Sequence, residues 1–329
     1  MRLDRRSFVS LAATSLAMSA GAQTPPPGAG GPLLTRLPQP TETMDLWPAA
    51  APGASSVILT ETVIERSTDA QLSDRAVFGI SRPRMVVFRP ARPNGAAILI
   101  MPGGGYKWVV VDKEGYELGR WLSERGYTVF VLFYRLPGEG WAYGPDVVLQ
   151  DAQRAMRLIR HRAVEFGVDP DRIGALGFSA GGHACADLSA RFAVRVHAPI
   201  DDADMLSARP MIAGLLYPVI SMATSNTHPG SREKLLGASA SAELERIHSP
   251  HLNVPTNAPP HFILHAEDDP VVPVENSLLL RAALKKKDVA VETHLFTHGG
   301  HGFGLRKALG KPVECWPALF LAWSKTQGL

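Results

Sequence analysis

The stretch Ile173-Gly174-Ala175-Leu176-Gly177-Phe178-Ser179-Ala180-Gly181-Gly182-His183-Ala184-Cys185-Ala186 decides the fold. An apolar run to Phe178 reads as a buried strand, and the mostly small residues after Gly181 read as a close-packed helix. Between them Gly177-Phe178-Ser179-Ala180-Gly181 reads as a sharp turn. Glycines two positions either side let strand and helix pass closely, and the serine at the apex is forced into an unusual backbone conformation with its hydroxyl exposed. That hydroxyl sits at a helix N-terminus, where the dipole and the free amide of Ala180 can meet an oxyanion. Ser179 is therefore the candidate nucleophile, against the plainer reading of a glycine-rich turn that merely packs well.

Working upstream, Ala96 to Met101 is a short continuous apolar run of the kind buried on both faces, and it ends in Pro102-Gly103-Gly104-Gly105-Tyr106. Backbone without side chains can approach a substrate carbonyl, so Gly104 and Gly105 are the candidate partners of Ala180 in an oxyanion hole. Gly115 to Arg125 fits a helix and Thr128 to Tyr134 the next strand. Tyr106, Trp108, Trp141 and Tyr143 lie on the glycine-rich and proline-rich loops around these elements and are candidate substrate-binding aromatics; the alternative is that they pack onto their own domain. Leu149, Ala152, Met156, Ile159, Ala163 and Phe166 recur at helical spacing, and Arg154, Arg157 and Arg160 are read as a solvated face. Ser56 to Glu65 and Met85 to Arg89 suggest first strands that pair as antiparallel edges.

Downstream, Met211 to Ile220 reads as a strand whose following loop, Ser221 to Asn226, carries no acid. The next strand, His261 to His265, leads into Glu267-Asp268-Asp269-Pro270-Val271-Val272-Pro273. The prolines fix the turn at Asp269, which is the candidate acid, with Asp268 its rival. Val289 to Phe296 alternates as a last strand and runs into Thr297-His298-Gly299-Gly300-His301-Gly302-Phe303. His301, set among glycines, is the candidate general base, with His298 its rival. A metal site from His294, His298 and His301 has no cysteine or carboxylate cluster beside it, so neither metal nor cofactor is expected. The order Ser179, Asp269, His301 is that of the α/β-hydrolase fold and not that of the chymotrypsin or subtilisin types. The fold class expected is α/β, an α/β-hydrolase with a mostly parallel central sheet and helices on both faces.

A chain of 329 residues can bury a substantial core in one domain of this kind. Residues 1–22 read as an export signal: Arg5-Arg6-Ser7-Phe8-Val9 opens a mildly apolar run that closes on Ala20-Gly21-Ala22, and the arginine pair suggests the twin-arginine route. The expectation is a bacterial periplasmic or secreted protein, with no cysteine after the leader to carry a lipid anchor. Residues 23–53, rich in proline and glycine, read as a linker and N-terminal arm, and 54–329 as the catalytic domain. The formal charge is +3, of which the leader supplies +2, so nucleic acid has no electrostatic footprint to bind. The two cysteines, Cys185 and Cys315, form no disulfide framework, and whether they pair is left open.

Taken together, Pro102-Gly103-Gly104-Gly105-Tyr106, Tyr134-Arg135-Leu136, Asp151-Ala152-Gln153-Arg154-Ala155, the elbow through His183, Tyr217-Pro218, Asp269 to Pro273 and Gly299 to Phe303 resemble bacterial carbohydrate esterases of the α/β-hydrolase superfamily. The relatives are the acetylxylan and feruloyl esterases near the hormone-sensitive-lipase-like group. Many members of that group have His before the glycine triplet, where Pro102 stands here, a departure that points toward the carbohydrate-esterase branch. The resemblance implies a serine esterase that removes acetyl or similar small acyl groups from xylan-type carbohydrates. A general carboxylesterase, a feruloyl esterase and a non-catalytic glycan-binding module are the competing readings. The expected partner is an acylated oligosaccharide or a small ester.

Overall fold

The computed structural model describes residues 40–69 and 71–329. The expected leader and residues 23–39 of the expected linker lie outside the described residues. In chain order the strands are β1 (Glu42–Asp45), β2 (Thr62–Glu65), β3 (Arg75–Phe78), β4 (Arg84–Phe88), β5 (Ala97–Met101), β6 (Val109–Val110), β7 (Thr128–Phe133), β8 (Ile173–Phe178), β9 (Ala213–Leu216), β10 (His261–Ala266) and β11 (Val291–Phe296). The helices are α1 (Glu117–Ser123), α2 (Asp146–His161), α3 (Ala163–Phe166), α4 (Ala180–Arg191), α5 (Pro229–Leu236), α6 (Ala242–Ile247), α7 (Glu275–Lys286) and α8 (Trp316–Thr326). A wide π-type turn, Asp112–Tyr116, leads directly into α1.

Strands apolar at every position must be covered on both faces, and β5, β7 and β8 are buried throughout. They form the middle of an eight-stranded sheet in the order β1-β4-β7-β5-β8-β9-β10-β11, in which β4 alone runs against the rest. Two glycines of β8 show the covering. Gly174 and Gly177 are an odd number of residues apart and so face opposite sides of the sheet. A Cβ on Gly174 would lie 3.0 Å from Leu329 beyond α8, and one on Gly177 would lie 2.9 Å from Cys185 of α4. Helices therefore pack on both faces, as expected of the α/β class.

Several local expectations needed correction. Ser56 to Glu65 is a strand only from Thr62, and it does not pair with the strand at Met85. Its partner is β3, which the sequence reading passed over, and with β6 they form a separate three-stranded sheet. The place beside β4 is taken instead by β1, from within the presumed arm: Thr43 pairs with Val86, and Leu46 and Trp47 are buried just after it. The strand expected to reach Ile220 stops at Leu216, because Tyr217 takes φ of +39° and turns the chain. Cys185 is buried and Cys315 exposed, and both are free thiols.

The arginines of α2 were also misread. Arg154 is buried, bonded to Asp201, to Asp204 at 3.1 Å and to the Leu46 carbonyl, so it ties α2 to two other segments rather than facing water. Arg135 goes further inside: it and Asp151 are both fully buried, joined at 2.8 Å, with the guanidinium also donating to Gln150 and to the Pro52 carbonyl. Trp47 donates its indole N–H to the same Asp151 at 2.9 Å, and Trp141 lies under the Arg135 cation. One carboxylate thus fastens the N-terminal segment, the end of β7 and α2 together.

Removing one partner of a buried pair leaves an uncompensated charge, which typically costs about 3–5 kcal/mol. Asp151→Ala, which strands Arg135, is expected to lower the unfolding free energy by about that amount in urea denaturation. A loss below about 1 kcal/mol would show that the pair is not what joins these segments.

Candidate active site

β5 pairs in parallel with β8, Met101 opposite Gly177, and β7 flanks β5 on its other side. The chain order reverses there, and in such sheets ligands bind beyond the carboxyl ends of the strands at that point. The glycine loop after β5 and the turn after β8 are consequently neighbours. At that turn Ser179 has φ +53° and ψ −119°, a region that costs a non-glycine residue about 1–3 kcal/mol. Its amide donates to the Leu216 carbonyl at 3.0 Å, and its own carbonyl accepts from the amides of His183 and Val219. A Cβ on Gly177 would stand 2.2 Å from the Gly181 carbonyl oxygen, and one on Gly181 would stand 2.1 Å from that of Met101. Only glycine fits at either flank.

His301 Nε2 lies 2.9 Å from Ser179 Oγ, and Nδ1 lies 2.7 Å from Asp269 Oδ2. A carboxylate only accepts, so Nδ1 carries the ring proton and Nε2 presents a lone pair to the serine hydroxyl. Asp269 is fully buried, yet its carboxyl is held well below the usual range. Burial alone would raise it; hydrogen bonds from His265, His301 and the Val272 amide outweigh that. Its second oxygen accepts the amides of Val271 and Val272 at 2.8 and 2.9 Å. His265 donates from Nε2 at 3.1 Å and is itself fixed by Ser277 on its other nitrogen. The rivals are sorted by the same geometry. Asp268 accepts from the amides of Gly299 and Gly300 and faces His298, so it holds the loop that carries His301 without touching the ring.

Of the three expected oxyanion donors, Gly104 and Gly105 line the same cleft as Ser179, and Ala180 follows the serine directly in the chain. Ala180 is the first residue of α4, where amides have no acceptor within the helix. Gly104, at φ +133°, allows the loop to fold back: a Cβ there would lie 2.1 Å from the Trp108 carbonyl oxygen. Among the described residues the amides of Gly104 and Gly105 donate to no protein acceptor, whereas the Gly103 amide is taken by Glu114 Oε2 at 2.9 Å. Glu114 is buried, and its other oxygen accepts from the Tyr217 hydroxyl at 3.0 Å; that hydroxyl accepts in turn from the Gly304 amide. Glu114 thus joins the glycine loop, the segment after β9 and the His301 loop.

Ser179 and His301 open onto a cleft of about 400 Å³. Of the four candidate aromatics only Trp108 lines it. Tyr106 is buried, its hydroxyl 2.7 Å from His183 Nδ1; Trp141 is buried against Arg135; Tyr143 is exposed and packs on Gly53. Being adjacent in sequence to the glycine triplet does not bring Tyr106 into the cleft, because at φ +57° its side chain turns inward. Sequence reasoning also missed cleft-lining residues, among them His228, which caps α5 through Nδ1, and Lys113 and Glu114 of the π-type turn. The His228-Pro229 pair just ahead of a helix was the available signal.

The BD-FAE family model matches residues 87–284, which run from β4 through α7. The chain belongs to the BD-FAE family. It is 30% identical over 250 residues to an acetylxylan esterase of Xylanibacter ruminicola, covering 74% of this chain and 48% of that one. It is 37% identical over 206 residues to endo-1,4-beta-xylanase B of Butyrivibrio fibrisolvens, covering 62% and 32%. The chain therefore spans about half, or less, of the length of these relatives. Among solved structures, the acetyl ester-xyloside bifunctional hydrolase of Caldicellulosiruptor lactoaceticus aligns over 83% of this chain and 99% of its own, with a TM-score of 0.68 and 34% identity. The fold is that of the α/β-hydrolase esterases.

In this BD-FAE chain the elbow helix α4 rests on a buried neutral histidine. His183 donates from Nε2 to the His248 carbonyl at 2.7 Å and accepts the Tyr106 hydroxyl, and burial pushes its pKa down to about 4. The folded value lies below the ordinary one near 6.5, so unfolding takes up a proton between them. Stability is intact above pH ~6.5 and falls as pH drops toward 4, by up to about 1.4 kcal/mol per unit for this one group. The urea midpoint is expected to decline between pH 7 and pH 5, and less so in His183→Gln; equal midpoints across that range would contradict a neutral buried His183.

Proposed function

We propose that this chain is a serine esterase that removes acetyl or similar small acyl groups from xylan-type carbohydrates. The observation that carries the reading is the unbroken hydrogen-bonded chain from Ser179 through His301 to Asp269 at the mouth of a cleft large enough for a sugar ring. On this reading His301 takes the Ser179 proton as the hydroxyl oxygen attacks the ester carbonyl, then returns it to the leaving alcohol. Asp269 keeps the ring in the tautomer that leaves Nε2 bare and stabilises the imidazolium that forms. The amides of Gly104, Gly105 and Ala180 receive the oxyanion, where one donor is typically worth about 10² to 10³ in rate. Water, activated by the same histidine, then releases the acid from Ser179.

The sugar assignment draws on the relatives, whose names concern acetylxylan and xylosides, and on Trp108, an aromatic residue that lines the cleft. The twin-arginine leader read from residues 1–22 would place the mature enzyme in the periplasm or outside the cell.

The test is acetate release from acetylated xylo-oligosaccharides, with p-nitrophenyl acetate as reference. Ser179→Ala is expected to lower turnover on both by about 10⁴ or more. Near-normal activity in that variant would remove Ser179 from the mechanism. Turnover of the reference ester alone would keep the catalytic chain and overturn the sugar assignment in favour of a general carboxylesterase.

A further inference from the structure

Positive charge crowds the cleft beside Ser179. Arg66, Lys107, Lys113 and Lys234 line it, against only Glu114 and Glu233. Glu114 is already committed to the Gly103 amide and the Tyr217 hydroxyl, and Glu233 is exposed on α5. Arg66 is partly neutralised by Asp74 at 2.6 Å. Lys107 lies over the Trp108 ring, its Nζ 4.5 Å from the centroid, so its charge covers one face of that ring beside the cleft.

Lys113 is the unusual member. It is only 8% exposed, it sits in the π-type turn, and it has neither a carboxylate within 4 Å nor a hydrogen-bond acceptor among the described residues. Its ammonium lies beside Gly302, next to His301: a Cβ on Gly302 would be 3.3 Å from Nζ. The Lys113 stem is buried, but its ammonium reaches the solvent of the cleft rather than being sealed in the core, so a partner can meet it there. Glu114 Oε1 stands on the same side, 3.7 Å from that Gly302 Cβ position but already bonded to Tyr217, and most of the other charges around Lys113 are cations. Lys307 has its pKa lowered first by the charge on Lys113, with Arg66 and Arg306 adding to it, while Asp74 acts the other way. The arrangement is a preformed anion site opening into the cleft beside the triad, with the partner left to arrive from solution.

We infer that Lys113, supported by Lys107, binds a carboxylate carried by the substrate itself, and that the preferred esters are acylated sugars bearing a uronic acid close to the acyl group. The inference rests on the esterase reading and names its substrate class. The carboxylate meets Lys113 while the scissile carbonyl meets Ser179, so one ion pair in a low-dielectric cleft orients the ester.

The experiment compares kcat/KM of the full chain for acetylated xylo-oligosaccharides with and without a glucuronic acid branch. Alongside it run two small probes: 4-acetoxybenzoate against its methyl ester, with the charge on the alcohol side, and a p-nitrophenyl hemisuccinate against p-nitrophenyl acetate, with the charge on the acyl side. The acidic sugar is expected to be favoured roughly tenfold at low ionic strength, with the preference shrinking as salt is added. Lys113→Met is expected to bring the acidic-to-neutral ratio to near one, and Lys107→Met to reduce it in part. Should Lys113→Met fail to fold, the Lys107→Met ratio and the salt dependence decide. Equal kcat/KM for the acidic and neutral sugars, or a preference that survives in the folded variants, overturns the inference. A preference on the hemisuccinate alone would overturn the uronic acid and move the carboxylate to the acyl side. If no sugar ester is turned over but aryl acetates are, the sugar reading fails separately, and the ratio of 4-acetoxybenzoate to its methyl ester still reads Lys113.

Discussion

The contact on which the site depends is backbone against backbone. Where α4 leaves Ser179, Gly181 runs so close to the end of β5 that a methyl group would overlap the Met101 and Pro102 carbonyl oxygens, at 2.1 and 2.4 Å. That approach sets the start of α4 directly beside the glycine loop. It also explains why the serine keeps an unfavourable backbone conformation: the Leu216 carbonyl and the Val219 and His183 amides hold it from three sides. Local strain of this kind persists only where the surroundings over-determine it. Here they do, since β8 is paired on both edges and buried on both faces.

The second organising device is a set of buried carboxylates, each acting as a junction. Asp151 gathers Arg135 and Trp47, Asp204, helped by the exposed Asp201, gathers Arg154, and Glu114 gathers the Gly103 amide and Tyr217. Charges buried and satisfied in this way add little net stability compared with apolar packing, but a wrong arrangement would strand them, which favours one arrangement over its alternatives. Several of the short motifs that mark the family resemblance, Tyr134-Arg135-Leu136 and Asp151 to Ala155, belong to these junctions and not to the chemistry.

What could be read in the chain was whatever local pattern determines. Continuous apolar runs marked β5 and β8, and a candidate side chain just past a strand end marked Ser179, Asp269 and His301, because each position follows from one strand and the turn after it. The remainder depended on partners distant in sequence. Arg154 looks solvent-facing by helical periodicity, and only Asp201 and Asp204, brought in from after α4, make its burial possible. β3 and β6 are short and gain their strand character from each other. Tyr106 and Trp108 are two residues apart on one loop, and a single positive φ sends the first inward to His183 while the second stays at the cleft. Lys113 carries no local mark, since its interest lies in the cleft its ammonium reaches without an ion pair among the described residues.

The loop carrying His301 is fastened by three different parts of the molecule. Asp268 takes the Gly299 and Gly300 amides, Asp269 takes the imidazole, the Tyr217 hydroxyl takes the Gly304 amide, and Trp316 donates its indole N–H to the Gly304 carbonyl at 2.8 Å. By contrast, the facing walls of the cleft, at Lys107 and Trp108 and at His228 to Lys234, hang from one loop and one short helix. For anyone wishing to redirect this scaffold toward other esters, the molecule divides into a cast floor and two interchangeable walls. Diversity introduced at the walls leaves the frame around His301 in register, whereas grafting the 299–304 segment from another scaffold would require three unrelated segments to be exchanged with it.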